Sequence, residues 1–387
     1  MSAAAEPAAA SSAGSSRKVP HSEVDFDRPV VSILGLPFDA IGVSEAVHRI
    51  RAAAFAGRRC FVSTPNLNFA IAAQTDAAFL GSVLRSDLCL VDGMPLVWMA
   101  RLLGLPVRER VSGSDVFEAL RRHPGPPLDV YLFGGPPDAA ARAAEVINRR
   151  RGGLQCVGFD PAGFGSVESM SGDEQIGRIN RSGAHFVVVS LGAKKGQAWI
   201  EQNADRLAAP VLSHLGAAVN FAAGTVRRAP RWLQSIGLEW LWRIREEPSL
   251  WRRYWNDGKA GMGMLTARVL PDAIASRSQR GLNGEPPQVD LVRSDASLCL
   301  RLSGAWADDV DPRELRAALA RCAGEEKRTI CVDLGKVERL NDTVLGLLLL
   351  ARGWFERRSG FEVVGVSAPV AKALHRKLAD RALLGNR

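Results

Sequence analysis

Between residues 30 and 215 the sequence alternates short apolar runs with longer amphipathic stretches, and no other feature narrows the possible folds as much. The runs at 30–34, 59–63, 88–91, 130–133, 154–159, 186–191 and 210–215 are continuously apolar, as strands buried on both faces are. The stretches at 43–56, 69–84, 95–103, 138–150, 173–182 and 197–207 read as helices. Strands alternating with helices predict a mostly parallel sheet covered on both sides, a Rossmann-like α/β domain over 29–224.

The pattern changes after residue 224. The stretch 225–260 holds five of the nine tryptophans and a run of arginines, so it has its own character within the chain. Trp232, Leu233, Ile236, Trp240, Leu241 and Ile244 recur at helical spacing and predict one apolar helical face. Residues 261–288 read as a linker, with a Gly/Pro-rich part from 277. Beyond it, the order β-β-α-β-α-β-α over 289–387 predicts a second, small α/β domain. The Ala/Ser-rich start, 1–28, lacks the basic start and apolar stretch of a secretory signal and reads as a disordered leader.

Charge and cysteine content narrow the partners. A formal net charge of +9 favours anionic ligands such as nucleotide diphosphates or phospholipid headgroups. Nucleic acid ranks last, because no recognition module accompanies the charge. The six cysteines are scattered, without a CxxC pair or a nearby His at ligand spacing, so the expectation is reduced core cysteines and no metal site. No uncharged apolar run reaches about 18 residues, so membrane contact is expected to be peripheral.

Five motifs lie at the carboxyl ends of expected strands or in the loops between helices, and open parallel sheets bind their ligands at strand carboxyl ends. In LCLVDGMPLVW, Asp92 ends a strand and can accept a proton from a hydroxyl, or serve as a turn and helix-cap residue. In VSTPNLNFA, Thr64, Asn66 and Asn68 suit sugar hydroxyls and are equally suited to capping. Gly134 and Gly135 of VYLFGGPPDAA let backbone N–H groups approach a phosphate, although neither a GxGxxG nor a Walker A pattern is present. Gly192, Lys194, Lys195 and Gln197 form a glycine-lysine segment. In RERVSGSD, Arg110 can hold a phosphate bidentately or pair with a carboxylate, Asp115 being close in sequence.

In order along the chain, TPN at 64–66, DGMPLVW from Asp92, ERVSGSD from Glu109, LFGG at Leu132, AAVNFAAGTVRRAP from Ala217 and GLEWLWRIREEPSLWRRY from Gly237 resemble the WecG/TagA/CpsF glycosyltransferases, glycosyltransferase family 26. The resemblance implies an inverting transferase without cofactor or metal. It would move a sugar from a UDP-sugar to an undecaprenyl-diphosphate-linked saccharide of a bacterial surface polysaccharide. It implies Asp92 as base, with Thr64, Asn66 and Arg110 in the substrate pocket; Gly134, Gly135, Gln197, Asn220 and Arg228 are the further candidate substrate contacts. Arg231, Arg243, Arg252 and Arg253 of the Trp/Arg appendage are implied at the membrane or the leaving group. Where the family shows Gly-x-Pro-x-Gln-Glu, this chain has Gly192-Ala-Lys-Lys-Gly-Gln197, which puts the role of Gln197 in question. The expected location is cytoplasmic, at the inner face of the plasma membrane.

The last domain resembles a STAS domain, carried by ICVDLGKVERLNDTVLGLLLL. In phosphorylated members a serine occupies the position matching Asp342, so the resemblance implies a docking or regulatory module with a fixed carboxylate there, and a possible protein partner. The alternative for the whole chain is a non-enzymatic, STAS-linked regulator or scaffold of polysaccharide synthesis.

Overall fold

The computed structural model describes residues 19, 24–149, 152–161, 165–216, 218–224, 228–235, 237–279, 281, 284–325 and 328–385. Of the expected strands, six build the main sheet: β3 (Cys60–Ser63), β4 (Leu88–Cys89), β5 (Leu128–Gly134), β6 (Leu154–Asp160), β7 (Phe186–Ser190) and β8 (Val211–His214). They run in the order β4-β3-β8-β7-β5-β6, and every pairing is parallel. Helices Val43–Phe55, Gly113–Arg122 and Pro137–Arg149 share an apolar core on one face, while Asp173–Arg181 and Ala193–Asn203 pack on the other. Neighbouring strands β5 and β7 therefore send their following helices to opposite faces. Their carboxyl ends frame a topological switch point, the place where such sheets form a ligand crevice.

The first apolar run departs from expectation. The strand β1 (Val30–Ile33) stays out of the parallel sheet and pairs antiparallel with β2 (Leu36–Asp39), which the sequence reading did not separate. Leu34 and Gly35, at φ 52° and 76°, make the two-residue turn whose left-handed geometry matches the twist of a hairpin. The stretch 69–84 also divides, into Leu67–Ala73 and Ala77–Leu84. Asp76 starts the second helix by accepting a hydrogen bond from Phe79 N at 3.0 Å.

The Trp/Arg segment does not form the single helical face expected. Gly237, at φ 76°, separates Arg231–Ser235 from Glu239–Glu246. Helix Trp251–Met264 then runs through a π-helical turn, Leu265–Val269, into Leu270–Ser278, so helix fills much of the stretch expected as a linker.

At the C-terminus, β9 (Gln288–Arg293), β10 (Ser297–Trp306), β11 (Thr329–Leu340) and β12 (Phe361–Val366) form a sheet ordered β12-β11-β10-β9. Helix Asp342–Glu356 has eleven of its fifteen residues buried, which one sheet face alone cannot supply. Its other side meets the β1–β2 hairpin and helix Ala77–Leu84, and one apolar cluster runs through both units. Gly346 and Gly353 allow that approach: a Cβ on Gly353 would lie 1.9 Å from the Leu84 carbonyl oxygen. Of the expected leader, residues 24–28 also join this contact, with Phe26 buried and stacked on Phe355 at 6.3 Å; residues 1–18 and 20–23 lie outside the described residues.

Asp342 is buried, and its carboxylate accepts hydrogen bonds from Lys377 Nζ at 2.8 and 2.9 Å. Lys377 Nζ also donates to Asp272 Oδ2 at 2.6 Å, tying the STAS-like unit to helix Leu270–Ser278. Burial pushes the Asp342 carboxyl up and Lys377 opposes it. In turn the two carboxylates outweigh burial and hold Lys377 more firmly protonated. The six cysteines are free thiols, Cys299 and Cys331 half-buried and the other four buried.

Candidate active site

Beyond β4 the chain stays extended to Asp92, because Leu90 N donates to Ser63 O at 2.8 Å and Asp92 N to Pro65 O at 3.0 Å. Asp92 thus emerges at the carboxyl edge of the sheet, beside the end of β3. It is not the helix cap: Gly93, at φ 111°, holds the cap position of Met94–Leu102, and no side chain caps that helix. Burial raises the Asp92 carboxyl to about 7. Arg110 and Arg243 act against that rise, while Glu239 and Asp115 add to it. The side chain remains half-buried, so a ligand can still reach it.

Arg110 is carried beside Asp92 because the neighbouring Val111 N donates to Val91 O at 2.8 Å. Its Nη1 donates to Glu239, and its Nη2 donates to Asp115 at 3.0 Å and to Gln234 Oε1 at 3.2 Å. Asp115 also binds Arg228 and accepts a hydrogen bond from Ser112 Oγ at 2.5 Å. Burial pushes the Asp115 carboxyl up, but Ser112, Arg110 and Arg228 together hold it below the usual carboxylate range. The result is a row of alternating charges, Arg228, Asp115, Arg110 and Glu239, beside Asp92, whose ionisation burial opposes.

Thr64 is buried after β3, facing the start of helix Gly113–Arg122. Asn66 caps Leu67–Ala73 through its Oδ1, which accepts from Phe69 N at 3.2 Å. Asn68 reaches the appendage instead, donating to Asp257 at 3.0 Å. Gly134 and Gly135 adopt φ 89° and 84° at the end of β5, and a Cβ on Gly134 would meet Leu191 at 2.9 Å. Their strand, β5, stands four positions from β4 in the sheet order.

Gln197 is buried and donates to Ser63 Oγ at 2.8 Å, behind the end of β3. Lys194 pairs with Asp76 at 3.0 Å, and Lys195 donates to the Gly165 carbonyl at 2.9 Å. Asn220 lies on the short helix Ala218–Ala222 that follows β8.

The appendage arginines divide. Arg243 stacks over Phe221, 4.8 Å from the ring centroid, and its charge reaches Asp92. Arg252 and Arg253 face solvent over Trp251 and Tyr254, alongside exposed Trp255. The side chain of Arg231 lies outside the described residues. Three groups escaped the sequence reading. Ser190 and His214 end β7 and β8, and the strand-end signal that singled out Asp92 applies to both. Glu239 carries no such signal, since its charge looks like that of any exposed helix start. Among the described residues no group of three His, Cys, Asp or Glu side chains could hold a metal ion, and no helix is long and apolar enough to cross a membrane.

Comparison with known proteins matches residues 31–271 to the glycosyl transferase WecG/TagA/CpsF family and residues 289–385 to the Mlab, STAS domain. Over 194 residues the chain is 26% identical to the N-acetylglucosaminyldiphosphoundecaprenol N-acetyl-beta-D-mannosaminyltransferase of Bacillus spizizenii, covering 50% of this chain and 74% of that protein. The Bacillus subtilis protein of the same name is 26% identical over 205 residues, 53% of this chain and 78% of its own length.

Proposed function

As the chain belongs to the WecG/TagA/CpsF family of glycosyltransferases, we propose that it moves a sugar from a UDP-sugar to an undecaprenyl-diphosphate-linked saccharide with inversion, in building a bacterial surface polysaccharide. The observation that carries the reading is Asp92, a reachable carboxyl raised to about 7 beside the Arg110 guanidinium. A group with that affinity for protons is matched to taking one from a hydroxyl near neutral pH. In the proposed step the acceptor oxygen attacks the anomeric carbon as Asp92 takes its proton. The bond to the diphosphate breaks on the opposite side, and the negative charge passes to the departing UDP. Arg110, Arg228 and Arg243 would bind that charge. The crevice at Gly134, Gly135, Ser190 and Asn220 would receive the nucleoside end, laid along the strand ends.

The two relatives are named for transfer to a diphosphoundecaprenol-linked sugar, which supports an acceptor of the same class here. A peripheral membrane position fits that acceptor. Trp251, Trp255 and Met262 are exposed on the helix that also carries Arg252, Arg253 and Lys259, the combination that settles at a lipid surface. The test is transfer from a panel of UDP-sugars to a polyprenyl-diphosphate-linked N-acetylglucosamine in detergent with EDTA, read by mass spectrometry. The expected result is lipid product from the parent protein and a loss of about 10²–10⁴-fold with Asp92→Asn. Unchanged turnover in that variant would remove Asp92 as the base.

A further inference from the structure

We propose that Cys299 and Cys331 form one dithiol site on the outer face of the STAS-like sheet, which a hydroperoxide closes to a cross-strand disulfide. The two residues stand directly opposite each other in the parallel pairing of β10 with β11, and the register around them runs unbroken from Ser297 to Arg301. Their neighbours along the strands, Leu298, Leu300, Ile330 and Val332, are wholly buried in the apolar core. Successive side chains of a strand point to opposite faces, so both cysteines turn away from that core and share the other face. Adjacent strands lie about 4.8 Å apart, and a disulfide needs its two Cα atoms about 4.4–6.8 Å apart. The backbone therefore holds the pair within bonding range before any oxidant arrives.

Access separates this pair from the other thiols. Cys299 and Cys331 are half-buried, in a row across the sheet that ends at exposed Val292 on β9 and exposed Glu362 on β12. Cys60, Cys89, Cys156 and Cys322 are buried, and burial pushes each of those thiols up, away from the reactive thiolate. Burial and then Cys331 push the Cys299 thiol up as well, with Arg301 opposing, so each sulfur of the pair lies within reach of the other. In the proposed step one thiolate attacks hydrogen peroxide, breaking the O–O bond to give a sulfenic acid and hydroxide. The second thiolate then attacks that sulfur; the S–S bond forms as the S–O bond breaks and a second hydroxide leaves. The two protons lost by the thiols convert both hydroxides to water, so two thiols and one peroxide give one disulfide and two waters. In a reducing compartment such a bond lasts only while oxidant is present, and an exposed disulfide is the kind that thiols reopen.

The test is graded hydrogen peroxide on the folded full chain at about pH 8, followed by alkylation of the remaining thiols in denaturant and mass spectrometry of the intact protein and its peptides. The expected product has lost two hydrogens and joins the peptide holding Cys299 to the one holding Cys331. It keeps the four buried cysteines as thiols and returns to the starting mass with dithiothreitol. Cys299→Ser and Cys331→Ser should each lose the bond, the thiol left behind stopping at a sulfenic acid that dimedone traps. Separate sulfinic or sulfonic acids on the two cysteines, bonds between copies of the chain, or a bond that appears only after buried thiols have reacted would each overturn the proposal. So would two unreacted thiols at a peroxide dose that fully oxidises dithiothreitol. The parent protein alone decides, so the proposal can fail even where a variant does not fold. None of these outcomes depends on the transferase reading.

Discussion

At the scale of the residue, Asp92 sits where burial opposes its charge, and this governs its response to pH. A base must be ionised to accept a proton, so turnover is expected to rise through about pH 7 and level off above it. Stability runs the other way. The folded-state value lies above the ordinary 3.8, so the native protein holds this proton more tightly than the unfolded chain does. The resulting stabilisation is present at low pH and is lost as pH climbs toward and past 7. Asp92→Asn should therefore melt no lower than the parent at pH 8, with the gap narrowing as pH falls toward 4. Thermal melts across that range, beside a rate profile, check both signs. A variant that melts lower at pH 8 would mean that the ionised carboxylate stabilises the fold. Asp92 was legible in the sequence because it ends an apolar strand before a glycine turn. Its raised proton affinity was not, because the burial that causes it arises only in the fold, and Glu239, which adds to the rise, and Arg110 and Arg243, which oppose it, come from 147, 18 and 151 positions away.

At the scale of the element, two helical glycines have opposite meanings. Gly353 meets the Leu84 carbonyl, and a Cβ there would be 1.9 Å from its oxygen, so Gly353→Ala must push the helix Asp342–Glu356 off the first domain. The expected loss is about 1–3 kcal/mol in urea unfolding. Gly258, within Trp251–Met264, faces open space and has ordinary helical geometry. Gly258→Ala should stabilise by about 0.5–1 kcal/mol, since it removes unfolded-chain freedom without a clash. Equal effects at the two sites would show that the helix-to-domain contact is looser than the structure has it. Apolar runs and amphipathic periods revealed most strands and helices to within a few residues. The break at Gly237 was hidden by an apolar spacing that runs straight through it. The β1–β2 hairpin was hidden because a single apolar run does not say which strand it pairs with.

At the scale of the whole molecule, the STAS-like unit shares an apolar core with the transferase domain. Val31, Leu84 and Leu347 belong to one buried cluster, and Lys377 binds carboxylates from both parts. A chain ended after residue 285 would expose the face of the hairpin and helix Ala77–Leu84 that Asp342–Glu356 covers. It should be recovered mainly as aggregate, or bind a hydrophobic dye strongly if it stays in solution. A monodisperse truncated protein that melts like the parent would overturn this. The position matching the phosphorylated serine, Asp342, is locked under Lys377, so the segment most suggestive of a switch is packed as an anchor. By itself the sequence determined the two α/β units, their order, the family and the strand-end residues, because strand burial and helical period leave a local pattern. Tertiary structure alone decided that the units share a core, that the hairpin stands between them, and that Glu239 meets Arg110. Those outcomes depend on surfaces and charges brought together from distant parts of the chain, and no local pattern records where a side chain's partner will come from.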